Sequence, residues 1–133
     1  MTIAAAFGPR RNAGGILAAA LLCAGPVAAA TLDITGTYGD ARGCEYAVKR
    51  DYSEQEYVLL TAEEVSTAMT LCSFVQIVPY TNGNMIVTVM CGHEGDEAQT
   101  LALMRIQKDP NGADNFRIFD ADGTEWGKAE RCP

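Results

Sequence analysis

The chain has five cysteines, and the placement of the four that follow its N-terminal segment constrains the fold more than any other feature. An even number of cysteines in a short exported chain predicts disulfides, and four cysteines allow three pairings. The spacings of 28, 19 and 41 residues contain no Cys-x-x-Cys pair, and the one histidine, His93, cannot complete a zinc site alone. We therefore expect no metal and two disulfides among Cys44, Cys72, Cys91 and Cys132.

The N-terminus predicts that the chain is exported. Arg10 and Arg11 precede a weakly apolar run over residues 14–24, and small residues follow at 28–30. A positive start, a short apolar stretch and an Ala-x-Ala site are the three parts of a secretory signal peptide, predicted here over residues 1–30. The apolar run falls short of the about 20 residues that cross a bilayer, so we expect no stable membrane anchor after cleavage.

Two other interpretations of this segment remain open. Arg10-Arg11 could be a twin-arginine export signal, although Pro9 and Asn12 give it an unusual context. Cys23 could carry a lipid, but Leu22 stands before it where a lipoprotein signal has a small residue. We assign both features to the signal peptide itself, with cleavage after Ala30.

Cleavage leaves residues 31–133, a single predicted domain of 103 residues. The signal carries two basic residues and no acidic one, so 8 basic and 17 acidic residues remain and the net charge becomes −9. Such a surface repels phosphate backbones and anionic membranes, which excludes nucleic acid as an expected partner. A basic protein would instead be attracted.

One disulfide can be argued from hairpin geometry. Two β-branched runs, at 75–78 and 85–89, flank a segment with turn-forming residues, which predicts a β-hairpin. If the loop consists of residues 80–83, Cys72 lies directly opposite Cys91 on the neighbouring strand. That pairing brings the two Cα atoms within the separation that a disulfide requires.

A shorter turn would change this pairing. A two-residue loop at Asn82-Gly83 puts Phe74, not Cys72, opposite Cys91. With the longer loop, Cys44 pairs with Cys132 by elimination and ties the start of the domain to its end.

The remaining strands are predicted from short apolar runs between turn residues. The segment 45–56 is polar and predicts a long connection with at most one helical turn. Thr61 and Glu64 have the form of a helix capping box, so Ala62 to Met69 could be a short helix or a turn into another strand, and we favour the strand. Further strands are predicted over residues 32–38, 57–60, 100–107, 116–119 and 125–131.

This pattern predicts an all-β fold: a small antiparallel meander forming a closed or nearly closed barrel, lipocalin-like or sandwich-like, with two disulfides and at most a short helix. Pairing of the first and last strands would remove both exposed edges. The bridge between Cys44 and Cys132 would then lie at that seam.

The candidate functional residues follow the central hairpin. His93, Glu94, Asp96 and Glu97 form a charged turn that could serve acid–base chemistry or act as a contact loop. A solvated turn is the simpler interpretation, because acidic residues beside glycine are ordinary turn chemistry. A lone histidine without a nucleophile has nothing to activate.

Other catalytic patterns are incomplete in the sequence. The residues Asp120, Asp122, Gly123 and Glu125 resemble part of a calcium loop, but its earlier ligands are missing and a hairpin turn is the simpler interpretation. There is no Gly-x-Ser-x-Gly motif and no phosphate-binding glycine loop. We therefore expect no cofactor and no enzymatic activity.

Five short motifs carry a resemblance: Gly36-Thr37-Tyr38-Gly39, Cys72-Ser73-Phe74, Cys91-Gly92-His93-Glu94-Gly95, Asp122-Gly123 and Arg131-Cys132-Pro133. With them the chain resembles small exported bacterial four-cysteine β-domains of unknown function. This resemblance implies a periplasmic β-rich domain and no activity. In size, charge and architecture the chain is also similar to periplasmic lysozyme inhibitors.

Two functional hypotheses follow. The first is a periplasmic or secreted binding or envelope-associated protein that acts through protein contacts, such as inhibition of a basic lysozyme-like enzyme. The second is a carrier of a small ligand in a lipocalin-like barrel, which requires an interior cavity.

Overall fold

The computed structural model describes residues 28–51, 56–111 and 114–133 of the chain. The predicted signal segment lies outside the described residues except for positions 28–30. The elements are β1 (Tyr38–Gly39), α1 (Ala41–Lys49), β2 (Leu59–Leu60), β3 (Glu64–Ser66), β4 (Thr70–Pro79), a 3-10 turn (Thr81–Gly83), β5 (Met85–His93), β6 (Thr100–Lys108), β7 (Phe116–Asp120) and β8 (Glu125–Arg131).

The eight strands form a closed antiparallel barrel. Each strand pairs with the next one along the chain, and β8 returns to β1 through the pairs Tyr38–Arg131 and Gly39–Glu130. The predicted all-β meander is confirmed, and the barrel is closed. Its wall is uneven, because β4 to β6 are nine or ten residues long while β1 to β3 have only two or three.

Both predicted disulfides are confirmed. The Cα atoms of Cys44 and Cys132 lie 5.3 Å apart, and those of Cys72 and Cys91 lie 4.0 Å apart. Cys132 directly follows β8 and Cys44 lies in the helix after β1, so this bridge holds the seam at which the barrel closes. The other bridge joins the neighbouring strands β4 and β5 within the core.

The hairpin turn between β4 and β5 is one residue longer than predicted. Pro79 pairs with Met85 rather than with Asn84, so the loop covers residues 80–84. Asn82 adopts a left-handed conformation with φ of 61°, which asparagine tolerates better than most residues. The sequence identified the residue that makes the turn but not the length of the loop around it.

A β-bulge compensates for the longer turn. The extra loop residue would by itself move Cys72 away from Cys91, but the register shifts by one at Val75. A bulge places two residues of one strand opposite one of its partner, so the pairing beyond it is restored. The predicted disulfide is therefore right although the turn assumed for it is wrong.

The barrel interior is filled by side chains. Inward and outward positions alternate along β5, where Val87, Val89 and Cys91 are buried. Four surface grooves of 370 to 650 Å³ lie among the described residues, and none is lined by the largest fully buried side chains. A small ligand in any of these grooves would lie outside the centre of the barrel. The largest fully buried side chains are those of Phe74, Leu60, Met104, Ile106, Ile118, Val65, Val87, Val89 and Cys72.

The predicted first strand over residues 32–38 is wrong, since β1 begins only at its last residue. The segment before β1 makes single backbone hydrogen bonds, one to the turn between β2 and β3 and one to β4, instead of a ladder. The amide of Leu32 donates to the carbonyl of Ala62 at 2.7 Å, and that of Ala30 donates to Phe74 at 3.3 Å. Its apolar side chains are used to cover the core, where Leu32 is buried.

The helix α1 is longer than the single turn predicted for this region and begins earlier. The carboxylate of Asp40 accepts a hydrogen bond of 2.6 Å from the amide of Gly43, and Arg50 ends the helix in a left-handed conformation. Outside the barrel, Tyr46 and Ala47 pack on a second small cluster of Tyr57, Leu59 and Ala68. No helix among the described residues has the length and apolarity to cross a bilayer.

Removal of the helix cap should cost a measurable part of the stability. We expect Asp40→Ala to lower the free energy of unfolding by about 1 kcal/mol, because the amide of Gly43 loses its acceptor. Urea unfolding of the oxidised chain measures this change. Asp40→Asn, which keeps an acceptor oxygen, should retain most of the stability; equal losses in both variants would contradict the capping role.

The segment from Ala62 to Met69 contains a strand, as favoured from the sequence. The hydroxyl of Thr61 accepts hydrogen bonds from the amides of Glu63 and Glu64, at 3.3 and 3.2 Å. These bonds close the turn between β2 and β3 rather than begin a helix. The strands predicted over residues 100–107, 116–119 and 125–131 agree with the structure to within one residue at each end. Of 57–60 only Leu59–Leu60 is paired, and the two hairpin strands extend beyond the runs 75–78 and 85–89, to Thr70–Pro79 and Met85–His93.

Candidate binding surface

The predicted contact loop lies at one end of the barrel, between β5 and β6. We call residues 93–97 the acidic turn. The amide of Glu94 donates to the carbonyl of Met69 at 2.8 Å, and that of Asp96 donates to His93 at 3.1 Å. These bonds fix the backbone while the side chains of His93, Glu94, Asp96 and Glu97 remain exposed.

The geometry of the acidic turn is that of a solvated anionic surface. The ring of His93 shares a hydrogen bond of 2.8 Å with the hydroxyl of Thr70, across the end of the β4–β5 ladder. Within the described ranges, no group of three or more His, Cys, Asp and Glu side chains is placed to hold a metal ion. What this arrangement can do chemically is attract and pair with cations.

A groove of about 440 Å³ runs beside the acidic turn, between α1 and β3 to β5. One wall carries Tyr46 stacked on Tyr57, with ring centroids 4.8 Å apart, and Arg50 lies 5.9 Å from the Tyr46 centroid. Burial raises the pKa of the Tyr57 hydroxyl above its usual value. His93 and Glu94 also line this groove, so the groove and the acidic turn form one continuous surface.

The outward side of β4 to β6 carries apolar side chains. Leu101 is 64% exposed and Leu103 is 53% exposed, although an outward strand position facing water is usually polar. Single exposed apolar residues are normal, but neighbouring ones over three strands mark an interaction surface. We call this surface the outer face; it consists of the exposed Leu71, Val75, Val78, Ile86, Leu101 and Leu103 and the half-buried Met90.

Basic side chains border the outer face at the end away from the acidic turn. The Cζ atoms of Arg105 and Arg117 lie 5.2 and 5.1 Å from the centroid of the Phe119 ring. Arg117 also binds Glu125 through two hydrogen bonds of 3.1 and 2.6 Å, which lower the pKa of that carboxylate. No ion pair of the described residues involves Arg105.

The acidic residues of the last hairpin serve its turn. One carboxylate oxygen of Asp120 accepts hydrogen bonds from the amides of Asp122 and Thr124, at 3.0 and 2.8 Å. Gly123 has φ of 87°, and Glu125 is bound to Arg117. The predicted hairpin turn at this position is confirmed.

Sequence reasoning missed the outer face and the groove. A signal for the outer face was present, because residues 101–104 are apolar at both odd and even positions and one side of an exposed strand should be polar. The stacking of Tyr46 on Tyr57 had no such signal, since it depends on how α1 packs on β2. Comparison of the chain with protein-family models, with curated proteins and with solved structures finds no match.

Proposed function

We propose that this chain is a small exported binding or envelope-associated protein that acts through protein contacts, with a basic protein as its partner. The observation that carries the proposal is the position of the acidic turn, exposed beside both a groove and the apolar outer face. A lysozyme-like enzyme has the required basic surface.

The two disulfides support a site of action outside the cytoplasm. Disulfides form and persist in oxidising compartments, and the chain contains two of them. We infer the periplasm or secretion as the destination, which agrees with the signal peptide predicted over residues 1–30.

Charge and apolar area would have separate roles in such a contact. Exposed carboxylates attract a basic partner over distances of about 10 Å at moderate salt and so raise the rate of encounter. Apolar side chains that leave water on contact supply most of the affinity. Leu71 lines the groove and belongs to the outer face, so a partner held at the acidic turn can reach both surfaces.

Titration of the mature domain with lysozyme at low and high salt tests the proposal. We expect inhibition at a stoichiometric ratio and binding that weakens as salt increases. Asp96→Asn/Glu97→Gln should weaken binding about tenfold, because each lost rim contact is worth about 0.5 to 1 kcal/mol.

The control is Asp122→Asn/Glu130→Gln, which removes the same two charges from exposed positions on another hairpin. It should bind nearly as the unmodified domain does. Binding that does not depend on salt, an equal effect of the two double variants, or no inhibition at a stoichiometric ratio would refute the proposal.

A further inference from the structure

A second groove lies at the end of the barrel away from the acidic turn. Its walls come from the turn between β4 and β5, the end of β6 with the loop that follows it, and Arg117 of β7. Its volume is about 650 Å³, within the range of about 300 to 1,000 Å³ that is typical of ligand sites. We call it the amide groove, because four of its eight lining side chains are the carboxamides of Asn82, Asn84, Gln107 and Asn111.

The walls of the amide groove are fixed by contacts within the protein. The side-chain oxygen of Asn84 accepts a hydrogen bond from the amide of Lys108, and that of Asp109 accepts one from the amide of Asn111, both at 2.9 Å. The stem of Lys108 lies close over the turn, since a Cβ atom at Gly83 would lie 3.3 Å from its Cδ atom. A ligand would therefore meet a preformed surface, which reduces the entropy cost of binding.

Most of the carboxamides in this groove remain available to a ligand. In the described part of the chain, those of Asn82, Gln107 and Asn111 make no hydrogen bond within the protein. A carboxamide both donates and accepts hydrogen bonds, and so does a hydroxyl group, whereas an ionised carboxylate only accepts. Several carboxamides side by side therefore match a ligand that carries several hydroxyl groups.

Basic side chains continue the amide groove onto the wall of the barrel. Gln107 lies opposite Arg117, and Arg117 lies opposite Lys128, on the outward side of β6 to β8. The Cβ atoms of residues paired in this way are about 5 Å apart. Like charges directly opposite each other destabilise a sheet, so an anion bound beside Arg117 and Lys128 would remove a cost.

The carboxylates beside the amide groove neutralise its basic side chains only in part. Arg117 binds Glu125, and Asp109 lines the groove, but within the described ranges no ion pair involves Lys108 or Lys128. The local surface is therefore positive, although the net charge of the chain is −9 after the predicted cleavage. Salt screens more distant charges beyond about 8 Å at physiological ionic strength, so the local excess decides which ligands bind.

The amide groove offers little apolar contact. Among its described lining residues, Pro110 is the one apolar side chain. A peptide obtains most of its affinity from apolar and aromatic side chains that leave water on binding, and this groove gives them almost nothing to pack against. Hydroxyl groups together with carboxylates are the chemistry that the groove can bind.

We propose that the amide groove binds an oligosaccharide that carries carboxylate groups. The carboxamides of Asn82, Gln107 and Asn111 exchange hydrogen bonds with its hydroxyl groups. Lys108 and Lys128 pair with its carboxylates, one at the rim of the barrel and one on the outward side of β8.

This site is separate from the acidic turn. The two lie at opposite ends of β6, whose residues from Thr100 to Lys108 span about 26 Å. If the proposed function also holds, one chain can bind a saccharide at one end and its basic partner at the other. The saccharide site itself does not rest on that function.

Calorimetric titration of the oxidised mature domain with a trimer of galacturonic acid, at physiological salt, tests the proposal. We expect saturable binding with a dissociation constant below about 1 mM. The same trimer with methyl-esterified carboxylates should bind at least tenfold more weakly, because it cannot form charge-assisted hydrogen bonds. Absence of binding up to about 10 mM, or equal binding of the two trimers, would overturn the proposal.

Variants locate the site. Lys108→Gln/Lys128→Gln should weaken binding of the trimer at least tenfold, because two of its cations are lost. Gln107→Met should weaken it about fivefold, since the new side chain keeps its length but loses its hydrogen bonds. Arg42→Gln/Lys49→Gln is the matched control, which removes the same charge from α1 and should bind as the unmodified domain does. Equal losses in the two double variants would place the ligand elsewhere and refute the proposal.

Two further titrations distinguish a saccharide from other anions. Inorganic phosphate and a trimer of glutamic acid carry negative charge without the hydroxyl groups of a sugar, so each should bind at least tenfold more weakly than the galacturonic acid trimer. Equal binding of either would show an anion site or a peptide site and overturn the assignment. The Lys108→Gln/Lys128→Gln variant should still bind lysozyme, and failure of lysozyme binding by the unmodified domain would refute the proposed function but not the saccharide site.

Discussion

A chain in which serine replaces both Cys44 and Cys132 is expected to lose about 4 to 5 kcal/mol of its unfolding free energy. The two cysteines are separated by 88 residues, so their bridge closes a loop that includes nearly all of the barrel. Removal of the bridge raises the conformational entropy of the unfolded chain and so destabilises the folded state relative to it. Since the unfolding free energy of a small domain is only about 5 to 15 kcal/mol, the variant should be barely folded at room temperature.

The position of the bridge makes the effect local as well as global. β1 has two residues, each paired with one residue of β8, so few backbone bonds hold the seam without the disulfide. Hydrogen exchange should therefore accelerate most in β1 and β8 of the Cys44→Ser/Cys132→Ser variant, while β4 to β6 exchange no faster than global unfolding allows.

The second disulfide supplies the comparison. Cys72→Ala/Cys91→Ala removes a bridge with a separation of 19 residues, worth roughly 3 kcal/mol on the same loop model. Its exchange should accelerate in β4 and β5 instead of at the seam. Urea unfolding measures both losses, and a loss below about 1 kcal/mol for the seam variant would mean that the strands hold the seam without the bridge.

The second large effect is expected at Gly43, where Ala should destabilise the domain by about 3 kcal/mol or more. A Cβ atom at this position would lie 2.8 Å from the carbonyl carbon of Val58 and closer still to its oxygen. The obstacle is backbone, which cannot rotate away, so α1 would have to move off β2. Helix propensity alone predicts the opposite, because Ala is favoured over Gly by about 1 kcal/mol within a helix.

The matched control is Gly92→Ala. A Cβ atom at Gly92 meets nothing within 4 Å. Alanine there should change the stability by less than about 1 kcal/mol, and in the stabilising direction. Urea unfolding of both variants decides the point, and a Gly43→Ala variant as stable as the unmodified chain would contradict the close approach of α1 to Val58.

The candidate surface was predictable in part. The position of the acidic turn could be predicted from the sequence, because this turn directly follows the second strand of a strongly patterned hairpin. The groove could not, since Tyr46 and Tyr57 are brought together by the docking of a helix that the sequence assigned to a loop. This helix is capped by a single side chain, that of Asp40. Asp40 follows Gly39, and a Gly-Asp pair is typical of a turn, so the sequence did not indicate a helix start there.

The sequence by itself determined the all-β class, the meander and the presence of two disulfides. These follow from local chemistry: two-residue alternation, turn residues between strands, and an even number of cysteines after the predicted signal peptide. The prediction for Cys72 and Cys91 survived an incorrect turn because the bulge at Val75 restored the register. A bulge depends on how both strands fit the curvature of the barrel, and no local pattern in the sequence specifies it.

Only the tertiary structure decided which apolar residues are core and which are surface. Val87 and Leu103 have similar sequence surroundings, yet one is fully buried and the other is 53% exposed. Closure of the barrel decides this, because the inward side of each strand fills a small interior and the outward side is left in water. That division creates the outer face.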